Sequence, residues 1–344
     1  MTDQQPHRRR MRVHLSRAAR YMFLLIVLGL AVHLVLPQLA SLQHSYQVIR
    51  GMRIWVVLLA AGAQVASYLG SGYLLGALAR LSGGSVSMWT GTLMTLAGTS
   101  FGMIAGGIVG SSAALYRWMR REGVRSEVSA LAGTLPGMLD NLILVVISLA
   151  GSVHLLAAHD LSRRQIILFA AILTILAGIS GLLLWGFRRR AELLRLAGAA
   201  DRRWRGKQPA DRIRGWLEGL FEAADMLMAG RWRGPALGAT LNVLFDMLTL
   251  YLLFAAAGGA VTPGVVLVGY GLPLLLGKMA FIIPGGVGVI ESSMVGLYAG
   301  LGVPAPVAVV VVLAYRVLSF WLPLVLGFPL IVYLQRDRTD RPQG

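Results

Sequence analysis

Along this chain, charge-poor apolar runs recur between short segments rich in arginine. They cover 20–37, 54–79, 88–118, 127–156, 165–187, 234–257, 262–300 and 304–334. A helix needs about 20 apolar residues to cross a hydrocarbon core about 30 Å thick, and each run is near that length or longer. Two runs are interrupted: 88–118 by "GMIAGGIVGSS", and 262–300 by "IIPGGVGVIESS", which sets a proline, three glycines and a glutamate in oily sequence. Each interrupted run is either one crossing or an in-and-out hairpin. The pattern predicts an all-α polytopic membrane protein.

Composition agrees with that class. Of 344 residues, 56% are hydrophobic and 14% charged, and the mean hydropathy is +0.68, far from a soluble globular balance. The net charge of +17 points, in so apolar a chain, to anionic lipid rather than nucleic acid. With no cysteine, disulfides, thiolate metal sites and a cysteine nucleophile are excluded. Six histidines are scattered without ligand spacing, so no metal or cofactor is expected. The basic start "HRRRMRVHLSRAAR" before an apolar run to Leu36 reads as a retained first helix rather than a cleaved signal.

Charge placement decides how the interrupted runs are threaded. Arginine and lysine in short loops mark the cytoplasmic side. The clusters lie at Arg8 to Arg20, Arg117 to Arg125, Arg188 to Arg214 and Arg336 to Arg341. If 88–118 crossed once, the second and third clusters would lie outside. As a hairpin entering and leaving from the cytoplasm, it leaves all four inside. The same treatment of 262–300 gives six full crossings, two broken-helix hairpins and both termini in the cytoplasm. Charge parity does not separate re-entrant arms from complete crossings.

The interrupted runs keep a constant offset of 179 residues, from Gly106 and Gly107 to Gly285 and Gly286, and from Gly123 and Val124 to Gly302 and Val303. That offset also lays 54–79 on 233–258 and 127–156 on 306–335. Each half is helix, broken hairpin, helix, and the extra helix 165–187 inverts the second half, giving an inverted-topology repeat. Transporters use this construction, with broken helices meeting near the midplane around the substrate. Irregular backbone in hydrocarbon is tolerable only against protein or a water-filled cavity. Close helix packing on small residues is the alternative reason for Gly102, Gly106 and Gly110. The expected domain plan is a basic N-terminus 1–19 and one membrane domain 20–335. Within it, unit one is about 54–156, a basic loop and amphipathic helix occupy 188–231, and unit two is about 233–335; a tail, 336–344, follows.

Five ionisable residues fall inside spans: Asp140, Asp246, Lys278, Glu291 and Arg316. Each costs about 2.5–3.5 kcal/mol to insert even on the lenient scale, so each should face the interior with a partner or water. Lys278, one of two lysines, and Glu291 sit on opposite arms around the Pro284 to Gly288 break, so a hairpin folds them toward each other. Two roles are open. The pair fixes helix register, or Lys278 and Arg316 receive an anionic headgroup with Glu291 as counter-charge or proton carrier. Asn242 and Asp246 are one turn apart on one face. Helix N-termini at the breaks would add positive potential for a phosphate. The segment Asp211 to Arg231 has apolar residues at helical spacing and reads as an amphipathic helix, either on an anionic inner leaflet or packed beneath the spans.

"IIPGGVGVIESSMVGLYAGLGVP", followed by "AYRVLSFWLPLVLG", resembles the flippase-like transmembrane region of bacterial lysylphosphatidylglycerol synthases and their stand-alone relatives. The family's proline, glycines and glutamate fall on Pro284, Gly285, Gly286, Gly288 and Glu291, and its later "YR" on Tyr315 and Arg316. Two motifs depart. Where many relatives have Gly-Glu-x-x-Arg, this chain has Ser111 and Ala114 at the charged places; of a Glu-Arg-x-x-Asp it keeps Asp140 but has Pro136 and Gly137. The charged chemistry is therefore concentrated in unit two. The resemblance implies a lipid flippase or lipid-transport protein of the bacterial inner membrane. Its cargo would be an anionic phospholipid or a polyprenyl- or hopanoid-type lipid, with Asp140, Asp246, Lys278, Glu291, Tyr315 and Arg316 around it. Aminoacyl transfer is not expected, since the soluble domain that performs it in full-length synthases is not among these residues. No triad or nucleotide loop stands out either, so the expectation is a non-enzyme. The alternative is a membrane scaffold for a lipid-modifying enzyme.

Overall fold

The computed structural model describes residues 42–105, 107–157, 232–259, 261–279 and 284–336, with isolated positions between 166 and 189. Span 20–37, the body of 165–187, the basic loop and amphipathic segment of 188–231, and both termini lie outside the described residues. Among the described residues every regular element is a helix. The chain divides into two compact units, Met1–Gly51 and Met52–Gly344. The first contributes α1 (Leu42–Gly51), on which Arg50 stacks over the Tyr46 ring at 5.5 Å.

The second unit holds α2 (Ile54–Leu81), α3 (Met88–Ile104), α4 (Ile108–Arg121), α5 (Ser126–Leu131), α6 (Leu135–Ala157), α7 (Arg233–Ala256), α8 (Pro263–Met279), α9 (Val289–Gly300), α10 (Ala305–Arg316) and α11 (Leu322–Arg336). Four stretches are long and apolar enough to cross a membrane: Ile54–Leu81, Leu135–Ala157, Arg233–Ala256 and Ala305–Gln335. The last runs through a π-helical turn, Val317–Trp321, directly after Arg316. The hairpin arms are shorter. At about 1.5 Å per residue, α3 and α8, with 17 residues each, reach about 25 Å, and α9, with 12, about 18 Å.

The first helices of the two predicted halves, α2 and α7, form the most extensive contact and run antiparallel. Arg53 N donates to Ala256 O at 3.0 Å; Gln64 meets Asp246; a methyl on Gly70 would lie 2.7 Å from Asn242 N, and one on Gly238 2.7 Å from Leu74 N. Small residues at this seam let the backbones approach. The remaining long contacts cross over: α8 packs on α6, and α3 on α11. Along α6 and α8 the register is again antiparallel, with Gly264 against His154, Gly151 against Val268 and Gly271 against Ser148. Ser100 on α3 donates to Leu324 O on α11 at 2.8 Å.

The described basic clusters gather at one end. A methyl on Gly234 would lie 3.2 Å from Ala77, and one on Gly84 3.2 Å from Val124. Arg121 Nη1 donates to Leu334 O at 3.0 Å. Hairpin one (α3 and α4) begins and finishes there, since Gly76 faces Val86 O on the approach to α3. Hairpin two (α8 and α9) begins and finishes at the other end, where Gly264 meets His154 and Gly259 lies near Val307. Their tips meet inside the bundle, for a methyl on Gly285 would lie 3.5 Å from Met103 Sδ.

One expected span differs. The run 127–156 is two helices, α5 and α6, broken at Ala132 to Thr134. Ser112 Oγ donates to Gly133 O at 2.7 Å, and a methyl on Gly133 would lie 2.5 Å from Ser112 Cβ. Hairpin one therefore packs into this break. Gly102 and Gly110 serve the hairpin's own closure: Gly107 N donates to Gly102 O at 2.7 Å, and Gly110 lies against the Ala105 backbone.

Candidate functional site

The break in hairpin two is built from the "PGGVG" run. Pro284–Gly286 form a single 3-10 turn, and Gly285, Gly286 and Gly288 take φ of 68°, 62° and 86°, which side chains with a Cβ rarely adopt. The helix restarts as α9 with Glu291 in its first turn. Glu291 Oε2 accepts from the Gly288 backbone N at 2.6 Å, half of a capping box whose reciprocal bond glycine has no side chain to make. Its other oxygen, Oε1, accepts from Arg316 Nε at 2.5 Å.

Arg316 is held as firmly. Nη2 donates to Gly285 O at 3.2 Å, and the guanidinium lies 4.4 Å from the centre of the Phe320 ring. Glu291 is 8% exposed and Arg316 4%. The pair ties the restart of hairpin two to the end of α10, just where the helix widens into its π-helical turn. Such turns free a carbonyl from the ladder; here Tyr68 on α2 donates to Leu318 O.

The expected meeting of Lys278 with Glu291 is thus not the pair that forms. Both carboxylate oxygens of Glu291 are engaged elsewhere, and Lys278, one residue after the Gly277 that packs against Gly286, has Asp140 and Asp246 as its charged neighbours. The sequence separation favoured Lys278, but the turn carries Glu291 toward the following helix.

A second constellation centres on Asp246 of α7. Its Oδ1 accepts from Gln64 Nε2 at 2.9 Å; its Oδ2 accepts from Tyr270 OH at 2.8 Å and Tyr315 OH at 2.6 Å. These donors come from α2, α8 and α10, so one carboxylate joins four helices. One turn away, Asn242 Oδ1 accepts from Ser67 and Ser71, each at 2.9 Å. Gln64 and Tyr270 were missed in the sequence because neither is charged; a lone glutamine in an apolar span and a tyrosine between glycines were the signals.

The third constellation is looser. Asp140, early in α6, faces Lys278, Asn242 and Asp246, yet its Oδ1 is buried and accepts no hydrogen bond. Lys278 makes no hydrogen bond or ion pair with the described residues. Unlike Arg316 it keeps solvent-accessible surface, although protein atoms surround it densely. The structure thus brings all five intramembrane ionisable residues to one region, together with Tyr315, Gly285, Gly286 and Gly288. No group of three potential metal ligands occurs among the described residues.

Broken helices around a polar centre, beneath helices long enough to span a bilayer, define a polytopic helical membrane protein. More narrowly, the chain belongs to the lysylphosphatidylglycerol synthase transmembrane-region family, whose model matches residues 23–327. It is also similar to UPF0104 membrane proteins of archaea. The identity is 38% over 87 residues with that of Methanothermobacter thermautotrophicus, 25% of this chain and 26% of the relative. For that of Pyrococcus horikoshii it is 35% over 94 residues, 25% and 26% of the two chains. For that of Methanocaldococcus jannaschii it is 30% over 106 residues, 31% of each. The matched stretches span about a quarter to a third of these relatives. The family links the protein to lipid metabolism.

Proposed function

We propose that this protein moves an anionic or lipid-linked amphiphile between the leaflets of the cytoplasmic membrane, without chemical conversion of its cargo. The observation that carries this reading is the meeting of two opposed hairpin tips close to Lys278, a residue with no hydrogen bond or ion pair among the described residues. A headgroup there sits between two elements that enter from opposite ends, which is what alternating access requires. Glu291 and Arg316 are committed to each other, so the headgroup's charge falls to Lys278.

The inverted repeat, with six crossings and both termini in the cytoplasm, is part of the proposal. Its support is reciprocity: α2 pairs with α7, and the exchange of halves that maps α8 on α6 onto α3 on α11 reproduces the other two long contacts.

The test is purified protein in vesicles carrying a fluorescent phosphatidylglycerol, with a quencher added outside. Wild type should expose the inner-leaflet probe and Lys278→Gln should slow it severely. Absence of probe movement with wild type sinks the proposal. Because the chain has no cysteine, single cysteines near Arg121 and Gly300 report topology cleanly; labelling of both from one side would refute opposed hairpins.

A further inference from the structure

We infer that the break at 132–134 and the π-helical turn Val317–Trp321 are a matched pair of hinges, about which two bodies, each assembled from both halves of the chain, turn against one another. What the turning serves rests on the transport reading above; the hinges themselves rest on packing.

The last run of each half changes partners partway along. Before the break, α5 packs on α4 and α2; after it, α6 packs on α8 and α7. Before the π-helical turn, α10 packs on α9 and α7; after it, α11 packs chiefly on α3. One body is therefore α2 to α5 with α11, the other is α6 to α10, and the seam of α2 on α7 joins them. The 179-residue offset carries Thr134 to Leu313, four residues before Val317. The exchange thus falls within about one helical turn of the same place in both halves.

Both joints are weakened in the same way. α6 and α11 each begin with leucine and proline, Leu135 and Pro136 in one, Leu322 and Pro323 in the other. A proline has no N–H to give to a preceding carbonyl. In the π-helical turn the ladder steps five residues, as from Leu322 N to Val317 O. The next such step, to Leu318 O, falls on Pro323 and is missing. Leu318 O accepts instead from Tyr68 OH of α2. At the first break Gly133 O likewise accepts from a side chain, Ser112 Oγ of α4, at 2.7 Å. Each joint is an interrupted backbone ladder closed by one hydroxyl, and both hydroxyls belong to the same body. Helices bend at such interruptions. Beyond the joints the packing is close: Ser100 holds α11 to α3 through Leu324 O, and Gly151, Gly264 and Gly271 bring α6 against α8.

The experiment measures distances between spin labels on the full chain in nanodiscs of phosphatidylcholine, with and without phosphatidylglycerol. A chain without cysteine accepts labelled cysteine pairs at exposed positions. Ala130 with Val153 spans the first joint, and Ala305 with Tyr333 the second. Trp89 with Val325, and Val153 with Leu276, each lie within one body. The joint-spanning pairs should give two distance populations whose ratio changes with phosphatidylglycerol, and the pairs within a body a single unmoving one. A single population in the joint-spanning pairs overturns the inference. So does a changing Trp89 to Val325 distance, because α11 would then travel with α10 rather than with α3.

Amide exchange provides the second measurement. Tyr68→Phe removes the hydroxyl that closes the second joint and should speed exchange over 317–322 roughly two- to tenfold, the worth of one hydrogen bond; an unchanged rate refutes the joint. Hinged distances without leaflet movement in vesicles would sink the transport reading and leave the hinges standing. Leaflet movement with rigid joints would do the reverse.

Discussion

Hairpins one and two are built to the same plan but held by different chemistry. The 179-residue offset places Glu291 on Ser112 and Arg316 on Gly137. In hairpin two, Glu291 and Arg316 join the second arm to the following helix through a buried ionic bond at 2.5 Å. In hairpin one the second arm meets the following segment through a neutral bond, Ser112 Oγ to Gly133 O at 2.7 Å, while a methyl on Gly137, at the place of Arg316, would meet nothing within 4 Å. The tips differ as well. Gly285 lies under the Phe320 ring, whereas a methyl on Gly107 would meet nothing within 4 Å. On the transport reading proposed above, the contrast makes hairpin two the wall that carries Lys278, and hairpin one, whose second arm meets the following helix through a neutral bond, the element expected to move against it.

The largest effect that would test this inequality is expected at the ionic bond. Replacing Glu291 by alanine leaves Arg316 buried without its anion, and breaking a buried pair from one side costs about 3–5 kcal/mol. Thermal unfolding in detergent should show a large loss for Glu291→Ala. Arg316→Ala should match it, and the double variant should lose less than the two losses added. A loss near zero would mean the pair is not a fastening, and the contrast between the hairpins would collapse.

Next in size is the tip. Gly285→Ala forces a Cβ to within 2.5 Å of Phe320 at a φ of 68°. The backbone term is about 1–2 kcal/mol and overpacking adds about 1–3 kcal/mol. Gly107→Ala, at a φ of 69° and ψ of −133° but in open space, should bear only its own backbone strain, about 1–3 kcal/mol. Melting temperatures in the order wild type, Gly107→Ala, Gly285→Ala support the asymmetry; the reverse order breaks it.

Much of this architecture was legible in charge spacing. Arginine clusters and apolar run lengths located the four long helices, because the cost of burying charge in lipid writes topology into the sequence on a coarse scale. The partners in the centre were less legible. Glu291 pairs with a residue 25 positions on rather than with Lys278 across its own hairpin, and direction after a turn of three left-handed glycines has no signature in spacing. Gln64 and Tyr270 are neutral, so a search by charge passed over two of the three donors that hold Asp246. The break at Ala132 to Thr134 hid inside an apolar run, although Gly133 and Pro136 marked it.

The smallest effect is expected at Ser112. Ser112→Ala removes one neutral hydrogen bond, worth about 1 kcal/mol, and leaves the close approach of Gly133 in place. It should barely move the melting temperature, yet remove the one side-chain hydrogen bond among the described residues between hairpin one and the break before α6. If hairpin one is the moving element, this variant should shift probe movement in vesicles more than it shifts stability, while Gly285→Ala does the opposite. Should Ser112→Ala prove as destabilising as Glu291→Ala, the two hairpins are fastened alike, and the movement has to be sought in α2 and α7 instead.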